Sequence, residues 1–524
     1  MTAPQQSSSS VEFVLTADTL KPLGRPVSEI PFCILVGGDF SGKGHVHDDG
    51  EQRSPTNRHP VRVDRDNLPG LLGTLDVTIH SHALRHGAPP ITLKLSEIDD
   101  FHPDRLAHQI EPLQQLSELR RRLTNPTTFA AAADEVRAWR QLPQPTGARS
   151  VAVDSPPPQI PLAHAPDSGL LDHILEQAPA SLNDPGSTEW QSFLSSVIRP
   201  HLVTKEDPLE KDLVAQVDAA MEQILRTVLH HPSFQELETI WLGLAFLVNR
   251  LETDSTLQIS LLDLPKSELS ADLLGSNDLY ATQLYRLLVQ ETVHTPGAHP
   301  WAVVAGVYTF DRTSEDVQIL ERIAHIAKEA GAPFLASASP GVVGCSSFGA
   351  LPDPDDWQNP LAHPEKQQQW EQLRRMDHAS YLGLSLPRFL LRQPFGRETE
   401  AISLFDFEEM AGVPGHDDYC WGNPIFAGLA LLGQAFSEEG WHPRPGSVQD
   451  IDGVPVHVYQ DGTGDTVTKP CAEACLTEQA AEHLLEAGLM PLLSYKNQDR
   501  IRLVRFQSIA LPLKPLQGRW NEAG

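Results

Sequence analysis

Apolar and polar positions divide this chain into two stretches in which the period keeps changing between that of a strand and that of a helix. Phe32 to Val36 is a short apolar run closed by Gly37-Gly38, the pattern of a buried strand that ends in a turn. Val61-Arg62-Val63 and Val77-Thr78-Ile79-His80 are further strand candidates, and Val11 to Leu15 reads as an added edge strand. Ile91-Thr92-Leu93-Lys94-Leu95 alternates over its whole length, as a strand with one buried face does. From Pro103 to Arg122 the period turns helical, with Leu106, Ile110, Leu113, Leu116 and Leu119 on one stripe. A second helix is predicted over Thr128 to Trp139, which completes a small sheet with helices.

Seven prolines then fall between Gln141 and Asp167, including Pro156-Pro157-Pro158. Proline sustains neither a helix interior nor a sheet ladder, so this stretch reads as an extended linker. Beyond it, Leu170, Leu171, Ile174 and Leu175 stripe a short amphipathic helix, and Trp190 to Ile198 suggests another. Glu206 to Leu251 is helical in period, with His231-Pro232 marking a break between two helices. Leu257 to Leu261 alternates, and Ala302 to Tyr308 is almost continuously apolar, as expected of a strand covered on both faces. The expected class is therefore mixed α/β (α+β mixed). It divides into a small domain over 1–140, a linker over 141–167, a helical segment over 168–200 and a larger α/β domain over 201–515.

Composition narrows the function. With 69 Asp plus Glu against 40 Lys plus Arg, the formal charge is −29, which repels nucleic acid and anionic lipid. Five cysteines in 524 residues make no disulfide framework and read as reduced thiols. Met1 to Ser10 lacks the charged and apolar regions of a signal peptide, and the apolar-rich Ile240–Val248 is far short of the ~20 residues of a membrane span. The expected location is the cytoplasm.

One segment imitates a catalytic motif. Gly37-Gly38-Asp39-Phe40-Ser41-Gly42-Lys43-Gly44 follows a strand and fits the spacing of a phosphate-cradling loop. Gly44 stands where a hydroxyl should meet magnesium, and His45 to Pro60 carries no apolar stripe for the helix such a loop must open. A glycine-rich turn leaving a strand is the preferred reading, with a nucleotide site as the remote alternative. The pairs His45/His47, His80/His82 and His230/His231 lack further ligands at metal-site spacing, and the last suits a helix end. Cys471 and Cys475 are four apart and share a face if that segment is helical, but no further ligand pair accompanies them. No catalytic residue, metal site or cofactor is expected.

The segments without chemical explanation carry a resemblance. Cys33 to Gly42, Val63 to Leu68, Asp100-Phe101-His102-Pro103 and Leu116 to Arg120 resemble, in order, the small subunit (TssB) of the type VI secretion contractile sheath. After the linker, Leu170 to Leu175, His230 to Glu238, Ile240-Trp241, Tyr381 to Leu384, Pro387 to Arg392 and Trp421-Gly422-Asn423 resemble the large subunit (TssC). The resemblance implies a structural, self-assembling protein and not an enzyme: a fusion of both subunits whose protomers stack around an inner-tube protein in the bacterial cytoplasm. It implies strand-added contacts with other sheath subunits and no cofactor. It also implies that Leu170, Leu171, Ile174 and Leu175 form the helix gripped by the recycling ATPase ClpV, against the simpler reading of a helix packed on its own protomer. The match ends near Arg505 to Ser508, whereas the family's large subunit continues. A sheath-like accessory (cap, baseplate adaptor or assembly regulator) is therefore the alternative.

Overall fold

The computed structural model describes residues 30–45, 58–81, 91–141, 210–357, 364–410, 412–442 and 444–521. The small half supplies strands β1 (Phe32–Gly38), β2 (Val61–Val63), β3 (Val77–Ser81) and β4 (Ile91–Leu95). Its helices are α1 (Leu68–Leu75), α2 (Pro103–Gln109), α3 (Glu111–Leu123) and α4 (Phe129–Gln141). The large half opens with helices α5 (Glu210–Leu229) and α6 (Pro232–Arg250), then strand β5 (Leu257–Asp263), helix α7 (Lys266–Leu274) and strand β6 (Trp301–Phe310). It continues through α8 (Ser314–Ala330), β7 (Phe334–Ala338), α9 (Pro364–Arg375), β8 (Leu382–Leu386) and β9 (Phe389–Leu390). Next come β10 (Trp421–Gly422), α10 (Ile425–Glu439), β11 (Asp450–Asp452) and a hairpin of β12 (His457–Gln460) and β13 (Thr466–Lys469). Helix α11 (Glu478–Glu486) and strands β14 (Met490–Ser494) and β15 (Arg500–Leu503) follow. The class is mixed α/β, as the periodicity indicates.

Nine strands form one sheet in the order β11-β15-β14-β8-β7-β6-β1-β5-β2. The six from β14 to β5 run parallel, and antiparallel strands finish both edges. β1 comes from the small half, yet it lies between β5 and β6 of the large half, with Ile34 facing Ile259 on one side and Val303 on the other. The four strands of the small half thus divide between two sheets: β1 and β2 enter the large one, and β3 and β4 pair with each other. The reason is burial on both faces. All seven residues of β1 are buried, and such a strand needs a covered sheet, whereas the alternating β4 needs cover on one face only.

Successive side chains of β1 feed opposite cores. Phe32, Ile34 and Val36 join the core under α6, α10 and the helices of the small half, while Leu35 joins the core under α8. On the first face α3 packs along α5, and Arg120 pairs with Asp218 at 2.6 Å. α6 and α10 approach so closely that a Cβ at Gly243 would lie 2.2 Å from the Phe426 ring.

The single helix read over Pro103 to Arg122 is two, broken at Ile110, whose backbone is extended. Pro112 has no amide proton to give the carbonyl of His108, and the Gln114 side chain takes that acceptor instead. The break at His231-Pro232 falls where the sequence places it, with Pro232 as the first residue of α6.

Candidate functional site

The turn after β1 explains its own glycines without a nucleotide. A phosphate loop must leave successive amides free for its ligand. Here the Ser41 amide donates to Asp263 Oδ1 at 3.0 Å and the Gly44 amide to Asp39 Oδ2 at 2.9 Å. Arg58 pairs with Asp263 and Glu268 at 2.6 and 2.8 Å, so the turn is lined by carboxylates that would repel phosphate. A short 3-10 turn, Lys43–His45, follows it. What the turn delivers is Phe40, fully buried against Trp241 of α6 with ring centroids 5.4 Å apart. The Trp241 indole N–H donates to the Phe40 carbonyl at 2.9 Å.

α6 is the meeting point for the other motifs. Its first turn presents Phe234, which stacks edge-on against Phe101 of the small half at 5.6 Å. One turn on, Glu238 lies on the buried side among Phe234, Leu237 and Trp241, only 1% exposed. A carboxylate there requires a partner. Arg392, two residues beyond β9, supplies it: Nε and Nη2 donate to Glu238 at 2.7 and 3.3 Å. Its other edge donates to Glu409 at 2.7 and 3.1 Å, and the guanidinium lies over the Phe395 ring at 4.3 Å. Glu409 also accepts the Phe395 amide at 2.7 Å and has His230 beside it at 3.5 Å. The fork geometry of arginine is what lets one side chain hold two carboxylates.

A second clamp sits at the start of the same segment. Arg388 pairs with buried Glu473 at 2.5 Å, and its amide donates to the same carboxylate at 3.1 Å. Between the two arginines, β9 pairs with β10, which carries Trp421-Gly422. Asp104 of α2 accepts the amides of Ser403 and Leu404, tying the small half to the loop that delivers Glu409. Both arginines of this centre are paired with buried carboxylates. Among the described residues no group of three or more His, Cys, Asp or Glu is arranged to hold a metal ion.

Residues 211–510 match the family described as EvpB/VC_A0108, tail sheath N-terminal domain. The chain belongs to the type VI secretion sheath family. Residues 24–140 match a second description, type VI secretion system, VipA, VC_A0107 or Hcp2, so both sheath components occur in one polypeptide. Over 307 residues the chain is 32% identical to the type VI secretion system sheath protein TssC1 of Pseudomonas aeruginosa, covering 58% of this chain and 61% of that protein. The chain thus spans under two thirds of the length of the curated relative it matches. The family is structural.

The expected ATPase-binding residues Leu170, Leu171, Ile174 and Leu175 lie outside the described residues, as do Val11 to Leu15, His47 and His82. Cys471 and Cys475 are not on a helix; Cys471 is buried and Cys475 exposed. His230 and His231 do sit between α5 and α6. The arginine–carboxylate pairing is what sequence reading missed. Glu238 inside an apolar stripe and Arg392 after Phe389-Leu390-Leu391 were its available signals; Glu409 carried none.

Burial pushes Glu409 and Glu473 up, but the charges and hydrogen bonds of Arg392 with His230, and of Arg388 with His416, outweigh it and hold both at about 2. Burial leaves Glu238 raised, so of the two carboxylates on Arg392, Glu409 holds its charge more firmly. Folded values of Glu409 and Glu473 lie below the ~4.3 of an unfolded glutamate. Their contribution is complete above that pH and is lost as pH falls toward about 2. Melting temperature is expected to fall steeply with uptake of protons below about pH 4; calorimetry across that range checks it.

Proposed function

We propose that this chain is a structural protomer of a type VI contractile sheath, in which the small and large components are one folded body that assembles with copies of itself and other sheath subunits. The observation that supports this reading best is β1, a strand of the small half hydrogen-bonded on both sides by the large half. Such a body transmits force as a unit, because separating the halves breaks three strand ladders, β1–β5, β1–β6 and β2–β5. The inner-tube protein is its proposed template and the bacterial cytoplasm its proposed location. Among the described residues no helix is long and apolar enough to cross a membrane. No catalytic step or cofactor enters the proposal.

Electron microscopy of the purified protein with the inner-tube protein tests it. Rings or tubes are the expected outcome. Particles that only decorate the ends of existing sheath would favour the accessory reading, and dispersed particles under all conditions would contradict assembly. Binding of ClpV to the helix bearing Leu170, Leu171, Ile174 and Leu175 is a separate proposal that rests on resemblance. Pull-down of the ATPase is expected to be lost with Leu171→Asp and Ile174→Asp, and unchanged recovery would remove that role.

A further inference from the structure

Beside the second arginine clamp lies a row of titratable groups. Glu473 Oε1 is 3.2 Å from His416 Nε2, and His416 Nδ1 is 3.4 Å from the Lys469 ammonium. Lys469 ends the β12–β13 hairpin and sits over the rings of Tyr419 and Trp421, at 5.0 and 5.6 Å from their centroids. Buried Glu473 is fixed by Arg388, the Trp421 indole donates to the backbone carbonyl of His416 at 2.7 Å, and the imidazole lies between Glu473 and Lys469 with its ring 5.5 Å from that of Trp421. In the tautomer with its proton on Nε2, the ring donates to the Glu473 carboxylate and Nδ1 accepts from the lysine.

We propose that Lys469 is a reactive lysine, with His416 as its proton acceptor and Glu473 as the group that orients the imidazole, and that it is acylated by small acyl phosphates. Lysine becomes a nucleophile when an apolar setting disfavours its charge and a base stands within reach. Both conditions hold: burial lowers the Lys469 pKa against the opposing charges of Glu473 and Asp417. After the ammonium gives up its proton through His416 to solvent, the amine nitrogen attacks the carbonyl carbon of the acyl phosphate. The N–C bond forms, the C–O bond to phosphate breaks, and one of the two amine protons passes through His416 Nδ1 to the departing phosphate while the other stays on the amide nitrogen. The product is a neutral amide. It abolishes the cation over Tyr419 and Trp421 and loosens the seat of the hairpin. The other groups facing Lys469 are the ring of His457 across the hairpin, the Tyr419 hydroxyl bonded to it at 2.8 Å, and Asp417.

The test exposes the full chain to acetyl phosphate and follows acetylation of each lysine by mass spectrometry. Lys469 is expected to react faster than exposed Lys94, and His416→Gln is expected to slow Lys469 by about fivefold or more while leaving Lys94 unchanged. Equal rates for Lys469 and Lys94 overturn the proposal, as does a fast Lys469 that ignores His416→Gln. Should that variant fail to fold, the pH profile of the native chain decides. Half-maximal labelling of Lys469 well below the ~10.4 of an ordinary lysine supports the proposal, and labelling at or above it overturns the proposal.

Discussion

Replacing Arg392 by leucine is expected to unfold the protein or bring it to the edge of unfolding. The substitution leaves Glu238 and Glu409, each 1% exposed, facing one another without the guanidinium that pairs both, with only His230 at 3.5 Å beside Glu409. Breaking a buried ion pair by removing one partner costs about 3–5 kcal/mol, a large share of the ~5–15 kcal/mol that holds a domain together. Arg392→Lys keeps the charge but not the fork, so a single ammonium cannot satisfy four carboxylate contacts, and an intermediate loss is expected. The informative comparison is the triple change Arg392→Met, Glu238→Gln and Glu409→Gln. If the arginine acts by neutralising the carboxylates, the triple variant recovers much of the stability that Arg392→Leu loses. Urea unfolding of the three variants measures this; equal stability of Arg392→Leu and the native chain would remove the clamp from the account.

Ile34→Asp is expected to unfold both halves together. Ile34 is fully buried at the middle of β1, with Ile259 and Val303 beside it on neighbouring strands. A carboxylate in that core costs several kcal/mol without a partner. Loss of β1 also strips β5 and β6 of their shared neighbour, so the damage reaches far from the substitution. Hydrogen exchange is the suitable readout: protection is expected to fall in α3 of the small half and in α8 of the large half alike. Protection retained in α8 while α3 opens would mean that the large half stands by itself.

These two sites differ in how far the sequence announces them. The strand at Phe32, the alternation at Ile91 to Leu95 and the break at His231-Pro232 are legible because each is written in a few adjacent residues. The family motifs are legible as motifs for the same reason. What they do is not. Ser41 meets Asp263 across 222 positions, and Arg392 meets Glu238 across 154, and no local pattern fixes contacts of that separation. The proline-rich stretch suggests two independent domains because composition reports the stiffness of a connection and says nothing of whether its flanks share a sheet. Full burial of β1 is the one clue, since seven apolar or glycine residues in a row ask for cover on both faces. The structure finds that cover in the other half of the chain.

The most direct test of this shared body cuts the connection and asks whether the body survives. A protease site placed between residues 142 and 209 separates the halves without touching a described residue. After cleavage, the account predicts that the two fragments elute together as one 1:1 species and unfold in a single cooperative transition. Fragments that elute apart while each keeps its own folded transition would contradict it.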